Sequence, residues 1–393
     1  MRSPALTVLL GIALAARAPM AQSAAAGHVP GSNLSVYLMT IGQGDQVWER
    51  YGHNAIGIRD TVTGTDVVYN WGVFSFDQPG FIRRFLRGEM MYWMAGQDAL
   101  ATLANYQYFN RTVEVQELDL SPPQRLALLE FIQWNAREEN KYYRYDYFRD
   151  NCSTRVRDAL DRVLGGAIRL ATDTVGTGRT YRWHSLRLMA EDPLISTGID
   201  IGLGRPTDRP ITAWEEMFIP MKLRDAIREI RLPDGRGGTV PLVRSERVLF
   251  QATREAEREA PPVRWPYFGA LGLVLAGLVV RLQRRFPAGR APVIASLVVV
   301  VGLGVVGVAL SYLRLLTRHT AAWDNVNLLI YNPFWLVLVA GLRFAHSDRA
   351  RRWWRGLAAA LGIVAVLGLP GQVVPRLAQG SLAVMLFAAP PAA

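Results

Sequence analysis

The sequence contains only one cysteine, Cys152, among 393 residues, together with five histidines. A single cysteine excludes an internal disulfide, and one cysteine with scattered histidines lacks the close ligand spacing of a zinc site. Lysine is absent from residues 266–393, which contain 12 arginines and two acids, whereas residues 1–265 carry 32 basic and 31 acidic residues. Because the surplus of positive charge belongs to an apolar region, a nucleic-acid-binding face is excluded as the leading interpretation.

The N-terminus has the composition of an export signal. Arg2 is followed by an apolar run from Leu6 to Ala16 and then by small residues up to Ala26. This run is shorter than the roughly 20 residues that a membrane span needs. We therefore predict a secretory signal peptide over residues 1–26, removed near Ala21–Ala26. An uncleaved membrane anchor is the alternative.

Residues 33–250, called the outer domain below, have the mixed pattern of an α+β fold. Apolar alternation predicts strands, and capping residues with helical periodicity predict helices. The predicted strands are Leu34–Ile41, Ala55–Ile58, Val67–Trp71 and Val113–Leu118, and the predicted helices are Phe81–Leu86, Pro122–Glu138 and Cys152–Leu164. Residues 251–265 are charged and proline-ended, which is typical of a linker.

Residues 266–393, called the membrane region below, contain four long apolar segments and a weaker fifth. They are residues 267–280, 291–312, 326–342 and 356–374, followed by 378–389. Since residues 297–310 have no polar face, we predict an all-α transmembrane bundle of four to five helices rather than a soluble bundle. Arginines cluster between the first and second segments and between the third and fourth, so the positive-inside rule places the outer domain outside the cytoplasm.

Cys152 and His53 are the candidate catalytic pair. Asn151 is a plausible cap for the helix that begins at Cys152, where free N–H groups and the helix dipole favour a thiolate. A thiolate needs an imidazole beside it to serve in acyl transfer, and His53 begins a predicted strand. A packed cysteine and a satisfied core histidine are the alternatives. We interpret His184, in a helical stretch, as structural.

Several sequence blocks resemble one known family. They are Glu49-Arg50-Tyr51-Gly52-His53-Asn54, Tyr69-Asn70-Trp71-Gly72 and Asp146-Tyr147-Phe148-Arg149-Asp150-Asn151-Cys152-Ser153-Thr154-Arg155, with His319, Asn325, Asn327, Asn332 and Pro333 in the membrane region. These blocks are similar to the Lnb-type bacterial lipoprotein N-acyltransferases, whose catalytic part is the Lnb N-terminal periplasmic domain. The resemblance implies a circularly permuted papain-like (NlpC-type) outer domain, in which the histidine precedes the cysteine along the chain.

The resemblance also implies an activity. Cys152 would take a fatty acyl chain from a membrane phospholipid and pass it, with His53 as the base, to the α-amine of a diacylated lipoprotein. It implies no cofactor, and it places the protein in the bacterial inner membrane with the outer domain in the periplasm.

The sequence also offers candidates for the group that orients His53 and for substrate binding. For the group that orients His53 we consider Asn70 first and Glu49 second, with Asn54 lower because it points to the opposite strand face. Arg155, His319 and Asn327 are candidate substrate-binding residues. The alternatives are an ion pair of Arg155 with Asp150 or Asp158 and interhelical hydrogen bonds for Asn327.

Two other functions remain open at this point. A membrane-tethered cysteine hydrolase, either a peptidoglycan endopeptidase or a phospholipase, would use the same Cys–His pair. A non-catalytic membrane scaffold would keep Cys152 only as a packed side chain. No repeat or additional wall-binding domain is visible in the sequence, which disfavours the endopeptidase.

Overall fold

The computed structural model describes residues 29–341, 346–369 and 379–392. The predicted signal peptide lies outside these residues, as do Arg343 and the end of the fourth apolar segment.

A seven-stranded antiparallel sheet forms the centre of the outer domain. Its strands in spatial order are β11 (Val243–Phe250), β5 (Val113–Leu118), β1 (Leu34–Ile41), β2 (His53–Asp60), β3 (Asp66–Val73), β4 (Met91–Asp98) and β6 (Tyr142–Arg144). Two small two-stranded sheets pair β7 (Gly176–Thr180) with β8 (Pro210–Thr212) and β9 (Arg231–Pro233) with β10 (Thr239–Pro241). The predicted strands are confirmed, whereas β4 and β6 were not among them.

Nine helices accompany the sheet in the part of the outer domain that the structure describes. They are α1 (Phe81–Arg87), α2 (Ala99–Tyr108), α3 (Pro122–Asn135), α4 (Cys152–Val163), α5 (Ala167–Thr172), α6 (Tyr181–Leu188), α7 (Pro193–Gly202), α8 (Ala213–Glu216) and α9 (Pro220–Glu229). The main core lies between one sheet face and helices α3, α4 and α9, and a smaller core joins the other face to α2. The predicted α+β class is confirmed, and the circular permutation stays a prediction.

Helices make up most of the described membrane region. It contains α10 (Trp265–Arg285), α11 (Arg290–Leu316), α12 (Phe334–Gly341), α13 (Asp348–Leu367) and α14 (Leu382–Ala392). Helices α10 and α11 are long and apolar enough to cross a membrane. The third apolar segment is not one continuous helix in its described part, because a short 3-10 turn at Val326–Leu329 precedes α12. Asn332 Oδ1 accepts from the backbone N–H of Phe334 at 3.0 Å, so Asn332 and Pro333 begin a new helix.

The loop after α11 packs against the outer domain. The backbone N–H of Arg318 donates to the carbonyl of Arg87 at 2.8 Å, and Nε2 of His319 lies 2.9 Å from the carbonyl of Phe85. Further along, the Asn325 side chain donates to the carbonyl of Ile201 at 2.8 Å. The two regions are therefore joined by hydrogen bonds as well as by residues 251–264.

A buried arginine in α6 supports this junction. The Arg182 guanidinium binds Asp208 at 2.7 Å and Asp200 at 2.9 Å, and it donates to the carbonyl of Leu203 at 2.7 Å. Asp208 also accepts from the backbone N–H of Gly380, which precedes α14. Because these charged groups are almost fully buried, each depends on its partner to offset the loss of water.

We expect Arg182→Met to lower the free energy of unfolding by about 3–5 kcal/mol, because it leaves two buried carboxylates without their cation. The midpoint of thermal unfolding of the detergent-solubilised chain measures the change. Arg236→Met, in the exposed β9–β10 turn, is the matched control and should leave the midpoint unchanged. Equal midpoints for both variants would contradict this account of the junction.

Candidate active site

The first turn of α4 is held by the side chain that precedes it. Oδ1 of Asn151 accepts from the backbone N–H of Thr154 at 2.9 Å, and the Thr154 hydroxyl accepts from the backbone N–H of Asn151 at 2.8 Å. The Asn151 amide also donates to the carbonyl of Phe218 at 2.9 Å. This capping box satisfies helix-end groups and confirms the predicted cap. It fixes Cys152 as the first helical residue.

A second anchor ties the same turn to the sheet. The Ser153 hydroxyl lies 2.8 Å from Oδ1 of Asn54 and 2.6 Å from the carbonyl of Met217. Asn54 is fully buried and donates in turn to the Thr40 hydroxyl at 2.9 Å. Asn54 thus acts through Ser153 to hold α4 against β2, on the opposite strand face from His53. This positioning role was not foreseen from the sequence.

His53 lies at the first residue of β2 and is paired with Asn70. Its Nε2 lies 3.0 Å from Oδ1 of Asn70, which stands on β3 opposite Ala55 and is therefore diagonal to His53 on the same face. Since Oδ1 only accepts, Nε2 carries the proton and Nδ1 keeps a free lone pair. Burial lowers the pKa of His53 to about 4, so the ring is neutral at pH 7. A neutral imidazole with Nδ1 free is a proton acceptor.

Cys152 is buried next to the same end of β2 and β3. The backbone N–H groups of Asn54, Ser153 and Cys152 itself face its sulfur and favour the thiolate. Burial nevertheless outweighs them and raises the pKa of Cys152 above its ordinary value. The expectation of a lowered thiol pKa was therefore wrong, because a helix start that is covered by protein also loses the water that solvates a thiolate.

Gly72 leaves room for the thiol. Its φ of +88° is a backbone conformation that favours glycine, and a Cβ at this position would lie 3.4 Å from Cβ of Cys152. The same point is 3.7 Å from the Tyr145 ring and 3.8 Å from the Tyr143 hydroxyl. Gly72 therefore marks where β3, α4 and these tyrosines meet.

Arg111 is a buried cation that the sequence gave no reason to select. Its guanidinium donates to the carbonyl of Gly42 at 3.0 Å and to the Glu49 carboxylate at 3.2 Å. Its positive charge lowers the pKa values of both Cys152 and His53. Glu49 is thus bonded to Arg111, whereas Asn70 is the candidate that is hydrogen-bonded to His53.

Tyr143 supplies an unpaired donor beside Cys152. Among the described residues its buried hydroxyl has no hydrogen-bond partner, and burial holds its pKa well above the ordinary value, so it stays protonated. The Arg155 guanidinium lies over its ring at 4.1 Å and is ion-paired with Asp150. Arg155 therefore reaches the site through the Tyr143 ring, and its charge is paired with Asp150.

The two other candidate binding residues, His319 and Asn327, make their contacts at the junction with the membrane region. His319 contacts Phe85 and stacks near the Tyr147 ring at 6.4 Å, so it lies at the junction. Asn327 is fully buried and bonds the carbonyl of Ile201 at 2.9 Å and the Ser381 hydroxyl at 3.0 Å. These contacts agree with the alternative in which Asn327 joins segments of the chain. His184, interpreted as structural, is buried and lies 2.9 Å from Glu216.

Family models match both regions of the chain. The model of the Lnb N-terminal periplasmic domain matches residues 21–191, and the model of the Lnb transmembrane domain matches residues 265–387. The chain belongs to the Lnb family. The resemblance seen in the sequence blocks is confirmed, and this Lnb protein is a membrane protein with a periplasmic part. Comparison with curated proteins and comparison with solved structures each returned no match.

The raised thiol pKa has a measurable consequence. We expect the alkylation rate of Cys152 by iodoacetamide to rise with pH through a midpoint above about 8.5, the ordinary value for a free thiol. Arg111→Gln removes a charge that favours the thiolate, so the midpoint should move further upward. Since Cys152 is the only cysteine, intact-protein mass spectrometry reports the rate directly.

Arg125→Gln is the matched control for this measurement. Arg125 donates to the carbonyl of Leu34 at 2.8 Å, at the end of β1 away from His53, and its loss should leave the midpoint unchanged. A midpoint below that of a free thiol in the parent protein would contradict the dominance of burial.

Proposed function

We propose that this Lnb protein is a thiol-dependent acyltransferase of the bacterial inner membrane. The observation that carries the proposal is the His53–Asn70 hydrogen bond at the same end of the sheet as the anchored Cys152, within a chain that also has a membrane region. The acyl donor is a membrane phospholipid, and the acceptor is the α-amine of the diacylglyceryl-cysteine of a lipoprotein. Both substrates lie in a bilayer, and a tethered domain meets them at high effective concentration.

In the first half-reaction His53 accepts the proton of the Cys152 thiol at Nδ1. As this proton moves, the sulfur attacks the ester carbonyl carbon of the phospholipid and forms a tetrahedral oxyanion. As this intermediate collapses, the carbon–oxygen bond to glycerol breaks and His53 returns its proton to the departing alkoxide. The products are a lysophospholipid and an acyl thioester on Cys152.

In the second half-reaction the neutral α-amine of the lipoprotein attacks the thioester. His53 takes a proton from the nitrogen, the carbon–sulfur bond breaks, and the proton passes to the sulfur. The lipoprotein leaves as an amide and Cys152 is restored as a thiol. Asn70 keeps Nε2 protonated throughout, so that Nδ1 remains the proton carrier.

The pKa directions fit a resting pair without charge. Burial raises the pKa of Cys152 and lowers that of His53, so proton transfer to form a thiolate–imidazolium pair is uphill before substrate arrives. Proton transfer and attack on the carbonyl then occur together, because the charge moves onto an oxyanion that is stabilised by donors. The Tyr143 hydroxyl and the free N–H groups at the start of α4 are the donors that we assign to this role.

The central experiment follows the acyl group. The purified full-length chain is mixed with phospholipid vesicles and then with a synthetic diacylated lipopeptide, and intact mass is recorded at each stage. We expect a fatty-acyl adduct on Cys152 that hydroxylamine releases and that the lipopeptide amine accepts. Cys152→Ser and His53→Ala should lower adduct formation by at least about 10³-fold.

Two further variants test the orienting group, and two alternative outcomes would contradict the acyltransferase. Asn70→Ala should slow the reaction more than Glu49→Gln, because only Asn70 touches His53. An adduct that passes only to water would identify a phospholipase. The absence of any adduct, with Cys152→Ser indistinguishable from the parent in cells, would leave the scaffold interpretation.

We expect Tyr143→Phe to lower the rate of adduct formation by about 100-fold, since a single oxyanion donor contributes this much in related chemistry. The thermal midpoint should stay the same or rise, because the variant removes a buried hydroxyl that has no partner among the described residues. Tyr142→Phe, its exposed neighbour on β6, is the control. A full rate for Tyr143→Phe would overturn the assignment.

A further inference from the structure

The surface of α1 is apolar and exposed. Ile82 is 63% exposed, Leu86 51% and Phe85 41%, and next to them Phe76 is 57% and Trp48 53% exposed. The Trp48 and Phe76 rings touch at a centroid distance of 5.5 Å. We call these five residues the α1 surface. Contiguous apolar groups of this kind mark a contact with a partner or a membrane.

This surface lies at the outer end of a membrane span. The last residue of α1, Arg87, accepts a hydrogen bond from Arg318, which follows α11 by two residues. Leu315 and Leu316 in the last turn of α11 are themselves largely exposed. Because α11 is long and apolar enough to cross a bilayer, the α1 surface continues the lipid-facing end of that helix at the level of the headgroups.

The charge beside the α1 surface suits phospholipid. Arg83, Arg84 and Arg87 lie on the same helix. Among the described residues, Nε of Arg84 and Nε2 of Gln78 are buried donors without a partner, and both residues line a cavity of about 530 Å³ with Trp93 and others. The Arg84 guanidinium, which donates to Oε1 of Gln78 at 2.8 Å, thus places a cation beside a partly apolar cavity, a combination that matches a phosphate with attached hydrocarbon.

Aromatic rings connect the α1 surface with the active site. Phe76 and Phe81 contact each other at a centroid distance of 5.1 Å, Phe81 and Phe74 at 6.0 Å, and Phe74 and Tyr92 at 4.9 Å. Tyr92 in turn stands 4.4 Å from Tyr145, the ring beside Gly72. A continuous row of packed aromatic side chains therefore runs from α1 to the neighbourhood of Cys152, and we call this row the aromatic path.

We propose that the α1 surface inserts into the outer leaflet of the membrane and admits a phospholipid acyl chain to the aromatic path. Insertion itself follows from the position and exposure of α1. The delivery of that chain to Cys152 rests on the proposed function. The partner is the lipid surface, whose acyl chains cover Ile82 and Leu86 and whose phosphates meet Arg84 and Gln78.

Insertion is tested with the full chain in vesicles of phosphatidylethanolamine and phosphatidylglycerol. In a Cys152→Ala background, a single cysteine at Ile82 (Ile82→Cys) carries an environment-sensitive fluorophore, and lipids with a nitroxide near the headgroup serve as quenchers. We expect strong quenching at position 82. The matched control is Val62→Cys, 74% exposed in the β2–β3 turn at the opposite end of β3, where quenching should be several-fold weaker.

Two results would overturn the proposal. Equal quenching at positions 62 and 82 would show that α1 has no special access to lipid. A blue-shifted emission at position 82 without nitroxide quenching would show that protein, such as a second copy of the chain, covers the surface. Neither readout depends on catalysis, so the test stands even if Cys152 forms no adduct.

Catalytic relevance needs a separate measurement. Ile82→Glu combined with Leu86→Glu should lower Cys152 acylation from vesicles by about 10-fold or more, while a monomeric short-chain ester should react at the parent rate. Val62→Glu is the control, and an unchanged thermal midpoint verifies folding. Equal losses with both substrates would contradict a role in lipid entry.

Discussion

The structure depends on the way the first turn of α4 is fixed between the sheet and the α8–α9 connection. Asn151 caps the helix and reaches Phe218, while Ser153 reaches Asn54 and Met217. Cys152 stands between these two anchored residues, so its thiol has little freedom. Without these bonds, the helix start would be free to shift relative to β2, and no fixed relation between Cys152 and His53 would exist. The residues around Asn151 therefore fix the position of Cys152, which is the candidate nucleophile among them.

The sequence predicted the strands that alternate cleanly and the helix that carries Cys152, because alternation and capping are local signals. It did not predict β4, whose glycine and flanking methionines obscure the pattern, or the break before α12. Among the candidate site residues, His53 is bonded to Asn70 and Cys152 lies at the same end of the sheet, while their catalytic roles stay predictions. Arg111 and the Tyr143 hydroxyl were missed, since burial and the lack of a partner are tertiary properties. The predicted direction of the Cys152 pKa shift was wrong for the same reason, because it depends on burial.

Burial gives the site its chemical character. Burial keeps both the thiol and the imidazole neutral at rest, and in the proposed mechanism the thiolate forms mainly when a carbonyl accepts the charge. In the proposed acyl transfer, this burial keeps water away from the thioester, a condition that transfer to an amine requires and hydrolysis does not. The same burial makes access a problem for a substrate with long hydrocarbon chains. The proposed entry of the acyl chain along the aromatic side chains behind α1 would solve that problem without opening the site to solvent.

The junction between the two regions determines where this path begins. A domain held only by residues 251–264 would move freely above the bilayer, and its exposed apolar residues would contact lipid only transiently. The bonds of Arg318 and His319 to the last residues of α1 and of Asn325 to Ile201 instead hold the outer domain against the loop after α11. The height of Cys152 above the membrane is then set by the fold. In the proposed function the substrates leave the bilayer partway to reach the thiol, and the proposed lipid contact of α1 shortens that distance for the acyl chain.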